Sequence, residues 1–441
     1  MTDLFAAQYS ERLTTPEKAI GLIPSGAKLA MSLGIAQPPA LLRALADRAE
    51  AGQIEGVKLY YLLSTAISGE TVLKPHLTDR IQPHSLFHGP IERALEKQGA
   101  AEGRQMVWFV PSGFQQAPRV MVEAGVDTLI ATVSPMDDEG NFSLGTNTDY
   151  ALAVSKVAQR VILEVNPNMP RVFGDCHIHI SQVTALVENT APLIEAGKAA
   201  PQPQDLIIGQ TIAGMIENGS TLQMGIGALP DAVCAALGQH QDLGIHTEML
   251  TPGLVELMRQ GVITNGRKSL HPGRAVFAFS MGQKATYDYL DNNPAFEARP
   301  VDYVNDPAVI ARNDQMVSVN ATLQVDLFGA CCSEFLGGRQ YTASGGQLDF
   351  VRGASAAKGG KSIIACHSTA AKGTVSRIVA RLDGPVTVPR NDIQYVVTEH
   401  GVANLRGMTT GERAMALIGL ADPAFREDLM REAIGLGLIS G

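Results

Sequence analysis

The chain is short of several things that would each mark a kind of protein. It has five cysteines, Cys176, Cys234, Cys331, Cys332 and Cys366. The number is odd and no C-x-x-C occurs, which argues against a disulfide framework and against a zinc ribbon. Cysteine used this way fits a reducing cytoplasm. No apolar run approaches the ~18 residues a membrane span requires. The opening MTDLFAAQYSERL carries charges where a signal peptide needs an apolar stretch. Positive charge is short as well. The 35 Lys and Arg stand against 44 Asp and Glu, a formal charge of −9, so bulk electrostatics offer nothing to a nucleic acid. What is present is an ordinary globular composition, 45% hydrophobic and 18% charged over 441 residues. That length suggests two or three domains. The expectation is a cytoplasmic protein with neither a membrane nor a nucleic acid as partner.

One stretch, AGKAAPQPQDL at 196–206, is rich in Ala, Pro and Gln and reads as a linker. It separates a domain over 1–195 from a domain over 205–441. The two halves echo each other. GLIPSGAKLAMSLGIAQPPALLRALA begins at Gly21 and GMIENGSTLQMGIGALPDAVCAALG at Gly214. Gly26 matches Gly219, Leu29 matches Leu222, Met31 matches Met224 and Gly34 matches Gly227. Each copy reads as helix end, glycine turn, short strand, glycine loop and helix, with a proline where a first helical turn tolerates it. Short Val/Ile-rich strands recur at 57–63, 105–110, 128–133, 160–165, 362–366 and 393–397, with helical segments between them. This alternation predicts an α/β fold, two similar open α/β domains with largely parallel sheets. Ligands in such sheets bind at the carboxyl ends of strands.

Several motifs carry chemistry, each against a plainer reading. QMGIGALPDAV at 223–233 suggests a glycine loop opening a helix, where Gly225 and Gly227 let backbone N–H groups approach an anion. It is not the dinucleotide fingerprint, because Pro230 holds the place of the third glycine. A tight turn without ligand is the alternative. GGKS at 359–362 is not a P-loop, since Ser355 stands where glycine is required and the loop precedes its strand. DCHIHIS puts His177 and His179 on one face of a strand, a possible start of a zinc site. No second cluster pairs with them, so structural histidines are the better reading and no metal is expected. SGGQLDF at 344–350 places Gly345 and Gly346 where a ligand can approach backbone closely. Residues 351–382 hold Arg352, Lys358, Lys361, Lys372, Arg377 and Arg381 and no acid, either an anion-attracting patch or a solvated basic face. EHGVANLRG at 399–407 gathers Glu399, His400 and Arg406 at a strand end, as a site lining or as an internal salt-bridge network. Finally, DLGIHTEML at 242–250 holds a lone glutamate, Glu248, with no carboxylate beside it and no metal-ligand spacing.

Taken in order, QMGIGALPDAV, LGIHTEM, SVNATLQVDL, SGGQLDF, STAAKGTVSRIV and EHGVANLRG, with VSPMDDEGNFSLG at 133–145, resemble the family I CoA-transferases. More narrowly they resemble the acetyl-CoA hydrolase/transferase branch, which includes 4-hydroxybutyrate and butyryl-CoA:acetate CoA-transferases. The resemblance implies two similar α/β domains with the active site between them, and oligomers of identical chains. It implies that Glu248 is the catalytic glutamate. It implies that Gln223, Met224, Gly225, Ile226 and Gly227, together with Gly345 and Gly346, bind CoA and stabilise oxyanions. Asn320 and Lys372 lie where the family contacts CoA. The substrates implied are acyl-CoA and short-chain carboxylic acids, with coenzyme A as substrate and no bound cofactor.

The residue chemistry is compatible with this. Exchange of CoA between two acids needs a nucleophile that forms both an anhydride and a thioester, and a carboxylate does both. A lone glutamate then suffices, because the acids exchanged are themselves the other reactants. Acyl-CoA hydrolysis on the same scaffold is the competing function.

Overall fold

The structure, a computed structural model, describes residues 3–197 and 200–441. They form two compact units. One comprises the described residues up to Ala196 together with Val276–Val304; the other comprises the described part of Gly197–Ala275 with Asn305–Gly441. The break near 196 falls on the Pro/Gln-rich stretch. The sequence reading runs the second half unbroken from 205, whereas Val276–Val304 clusters with the first unit. Its contacts there are specific. The N–H groups of Thr148 and Asp149 both donate to Ala278 O, that of Ala298 donates to Phe173 O, and Phe279 packs edge-on to Phe114. Nothing in a single segment's apolar pattern records which half it will join.

The first unit is built on seven strands: β1 (Lys28–Met31), β2 (Val57–Tyr61), β3 (Ile81–Ser85), β4 (Trp108–Phe109), β5 (Thr128–Val133), β6 (Arg160–Val165) and β7 (Ala185–Glu188). They lie in the order β4-β3-β2-β1-β5-β6-β7, every pair parallel. Strands such as β5, TLIATV, are buried along their whole length, as expected where helices cover both faces. The core joins Leu29, Met31, Val57, Leu59, Tyr61 and Ile81 of the sheet to Leu41, Leu42 and Leu45 of the helix Pro39–Glu50.

In the second unit β8 (Thr221–Met224), β9 (Gly244–Leu250), β10 (Met316–Ala321), β11 (Lys361–Ala365), β12 (Tyr395–Thr398) and β13 (Gly401–Asn404) run in the order β9-β8-β10-β11-β12-β13. Only the β12–β13 pair is antiparallel. The topology repeats that of the first unit, where β2-β1-β5-β6-β7 has the same sense. In both the order reverses beside the first strand, between β1 and β5 and between β8 and β10. Such reversals open a crevice at the strands' carboxyl ends.

The sequence echo is therefore structural. Gly26 and Gly219 make the left-handed turn before each first strand, at φ 78° and 84°. Met31 and Met224 are the last residues of β1 and β8. The five cysteines are all buried free thiols. Among the described residues no helix is long and apolar enough to cross a membrane.

Candidate active site

The site grows from β9. Its sequence GIHTEML is buried except at Glu248, which keeps part of its surface open. Alternation along the strand puts His246 and Glu248 on one face. There His246 lies tilted against Phe350, ring centroids 6.3 Å apart. Phe350 belongs to the helix Gln347–Ala356, and Gly346 is that helix's N-cap. The helix start is thus brought to Glu248, and the Gly346 N–H donates to its carboxylate. Gly346 is glycine for a spatial reason. A Cβ there would collide with Glu248 Oε2 and with Asn305 Nδ2. Asn305 Nδ2 donates to Glu248 Oε2 at 2.6 Å. The Asn305 side chain is fully buried and its Oδ1 has no partner among the described residues.

These surroundings push the Glu248 carboxyl up to about 7. Removal from water is the main cause, and the negative field of Asp349 adds to it; the bonds from Asn305 and Gly346 act in the opposite sense. A carboxylate so desolvated is a better nucleophile than one in water. One oxygen, Oε2, is pinned by Asn305.

At the β8–β10 reversal the glycine loop follows Met224. Gln223 and Asn320, both buried, bond reciprocally through their amides at 3.2 and 3.1 Å. This pair closes the strand ends beneath the loop. The Gly225 N–H donates to Val319 O at 2.9 Å, so it is committed to the fold. Ile226 and Gly227 make no backbone hydrogen bond through their N–H groups to the described residues. Gly227 sits at φ 122°, which needs glycine, and Ile226 is 53% exposed. The sequence reading that Gly225 and Gly227 both offer donors thus narrows to Ile226 and Gly227. Gly345 takes φ 54° just before the Gly346 cap.

Lys372 lies on an exposed turn, itself left-handed at φ 59°, between Thr369–Ala370 and Val375–Ser376, which pair antiparallel. The basic run around it does not form one patch. Arg352 pairs with Asp392, Lys358 with Asp314 and Lys361 with Glu217. Lys372 and Arg381 make no ion pair among the described residues. The EHG cluster also separates. Glu399 accepts Ser368 N and Oγ at 2.8 and 2.7 Å, His400 faces Asp422 at 3.9 Å and Arg406 reaches Ser355 O. His177 and His179 lie on the short strand His177–His179 paired with Asn141–Ser143. His177 abuts Cys176 and His179 bonds Ser181. No group of three or more metal-capable side chains occurs among the described residues.

Asn305 was not legible in the sequence. It stands in YVNDP, 57 residues from Glu248, without a motif. The one local signal is that Asp306 and Pro307 start a short helix, which places Asn305 just ahead of a cap.

The site is thus a glutamate held by an amide and a helix start, in a chain of paired α/β units of one topology, and the two halves of that chain match one family. Residues 3–195 match the acetyl-CoA hydrolase/transferase N-terminal domain and residues 282–433 its C-terminal domain. The chain belongs to the acetyl-CoA hydrolase/transferase family and, within it, to the CoA-transferase class of enzyme. Among its relatives, the 4-hydroxybutyrate coenzyme A transferase of Clostridium kluyveri is 42% identical over 96% of this chain and 97% of its own. The solved structure of RipA from Yersinia pestis is 54% identical, with a TM-score of 0.96 over 99% of this chain and all of that one. The solved 4-hydroxybutyrate CoA-transferase of Porphyromonas gingivalis is 35% identical, with a TM-score of 0.84 over 98% of this chain and all of that one. Glu248 lies between the two matched segments, in neither of them.

Proposed function

We propose that this enzyme moves CoA between short-chain carboxylic acids, of the 4-hydroxybutyrate, butyrate or acetate type, by a ping-pong route through a glutamyl-CoA thioester on Glu248. The observation that carries the reading is the Glu248 carboxyl, desolvated and held by Asn305, on a residue that keeps part of its surface open. Oε1 attacks the thioester carbonyl of acyl-CoA, and the CoA thiolate leaves a mixed acyl–glutamyl anhydride. The thiolate then attacks the Glu248 carbonyl carbon and the first acid departs as its carboxylate. During that attack Oε2 becomes the oxyanion, already bonded to the Asn305 amide. The acceptor carboxylate reverses both steps, so no net proton or electron is required.

The loop Gln223–Gly227, together with Asn320, Gly345, Gly346 and Lys372, makes up the CoA-binding set in this reading. Coenzyme A enters as substrate, and the chemistry calls for no bound cofactor or metal. A cytoplasmic oligomer of identical chains, dimer or higher, completes the reading.

The test is covalent. Incubation with acyl-CoA and no acceptor should add CoA less one water to the intact mass, with the adduct mapped to GIHTEML. Glu248→Ala should show no adduct and lose at least about 10³-fold in rate. Turnover by an unmodified enzyme, with nothing trapped by borohydride, would sink the ping-pong scheme. Hydrolysis is separated from transfer by CoA release with and without acetate. Release that ignores every acid tested would make the enzyme a hydrolase.

A further inference from the structure

Between the strand that carries Asn320 and the hairpin that carries Lys372 lies a guanidinium that the mechanism above leaves unused. Arg377 is half-buried, and no carboxylate lies within ion-pair distance of it among the described residues. Its partners are backbone carbonyls on two separate segments. Nη1 donates to Thr322 O at 3.4 Å and to Leu323 O at 3.2 Å; Nε donates to Thr369 O at 3.3 Å. Thr322 and Leu323 directly follow β10, whose penultimate residue is Asn320. Thr369 is the root of the hairpin. The main chain of Arg377 joins the same pieces, its N–H donating to Ser368 O at 2.8 Å and its carbonyl accepting Val325 N at 2.9 Å.

The hairpin tip needs such a root. Residues 371–375 are all exposed. Ala371 and Lys372 both hold left-handed backbone, at φ 48° and 59°. Side-chain-bearing residues keep that conformation only where surrounding structure imposes it. Within the tip Thr374 donates to Ala371 O through N and Oγ1 at 3.4 and 2.8 Å; what ties the tip to the rest of the fold is the base, through Arg377 on one side and the Glu399–Ser368 bonds on the other. Arginine suits the task because its planar fork presents several donors in fixed directions, whereas lysine is a flexible point charge.

We propose that Arg377 is a positioning residue for coenzyme A: it clamps the hairpin root to the exit of β10 and thereby sets where Lys372 stands relative to Asn320. The inference rests on the reading of Lys372 as a CoA contact. The experiment is a cycle of Arg377→Lys, Lys372→Ala and the double variant, followed by steady-state kinetics. Lys372→Ala should raise the KM for acyl-CoA. Arg377→Lys should raise it about five- to tenfold, with kcat and the acceptor-acid KM nearly unchanged, and should add almost nothing in the Lys372→Ala background, because coupled residues are non-additive. Fully additive effects, or an unchanged KM in Arg377→Lys, overturn the clamp. An unchanged KM in Lys372→Ala instead overturns the Lys372 reading on which it rests. Trypsin on the full-length enzyme gives a second readout: cleavage after Lys372 should quicken in Arg377→Lys, and an unaltered rate rejects the proposal. Arg377→Gln replaces Arg377→Lys in both assays if the lysine variant does not fold.

Discussion

The two strand–glycine-loop–helix segments start from similar sequence and end in opposite states. In the first unit the loop after β1 is filled from within. The Met281 sulfur lies under Gly34, 3.2 Å from where a Cβ would be. The Gln37 amide oxygen accepts from Thr65 N, Thr65 Oγ1 and Ser68 Oγ, and its nitrogen donates to Leu63 O. The helix start that follows is answered by a buried acid. Glu164 Oε2 accepts Ala40 N at 2.9 Å and Leu41 N at 3.1 Å. In the second unit, among the described residues, no side chain caps the helix Ala228–Ala236 and nothing lies within 4 Å of where a Gly227 Cβ would be, and Ile226 is exposed. A helix start collects unsatisfied N–H groups and positive potential. Whether those are spent inside the fold or left for a ligand depends on one carboxylate donated from a distant strand. The lesson is that the motif describes a capacity, and the tertiary surroundings decide its use.

The same contrast holds for two desolvated acids. Asp149 in the first unit and Glu248 in the second are both raised to about 7 by burial. Asp149 is wholly enclosed and spends its carboxyl on the N–H groups of Tyr150 and Ala151. Glu248 keeps an open side. A raised pKa alone would have nominated both.

Four experiments test these contrasts. The largest effect is expected at the open site. Gly346→Ala puts a methyl into the space held by Glu248 and Asn305, and displacing the carboxylate on the order of 1 Å should cost about 10²-fold in kcat. Activity near wild type would show that the close approach is incidental. Next, Ile226→Asp gives the second unit's loop a carboxylate of its own, as Glu164 does for the first. The acyl-CoA KM should rise about tenfold through repulsion of CoA's phosphates, and an unmoved KM would show the loop is not where CoA lies. In the first unit the expected change is one of stability. Glu164→Ala should cost about 1–3 kcal/mol in denaturant unfolding by stranding the Ala40 and Leu41 N–H groups, with kcat per folded molecule retained. Loss of activity without loss of stability would assign the first loop a ligand too.

The smallest effect concerns pH. Glu248 is raised in the folded enzyme above its ordinary 4.5, so its neutral form stabilises the fold. That contribution is fully present below about 4.5 and is lost as pH rises through about 7. Glu248→Gln should therefore melt a few degrees above wild type at pH 8 and close to it at pH 5. Asp149 titrates in the same window but is present in both proteins, so it cancels in the difference. Equal melting temperatures at both pH values would mean the carboxyl is better solvated than its surroundings indicate.

What the sequence determined by itself was local or repetitive. Period and turn chemistry set the strands, because a buried parallel strand needs a short apolar run and each left-handed turn needs a residue such as Gly26 or Gly219. The echo of Gly26–Met31 in Gly219–Met224 carried the doubled topology. The ordered motifs nominated Glu248. Tertiary structure alone decided the partners. Asn305 reaches Glu248, Glu164 reaches the helix at Ala40, and Lys358 and Lys361 find Asp314 and Glu217, each across a gap of dozens of residues. The basic run at 351–382 shows why such pairings escape a linear reading. Its charges are adjacent in the chain, but the fold scatters them: Arg352, Lys358 and Lys361 meet acids from distant segments, while Lys372, Arg377 and Arg381 meet none among the described residues. Hydrogen bonds and ion pairs act over a few ångströms of space, and in a sheet with crossovers that distance bears no fixed relation to separation along the chain.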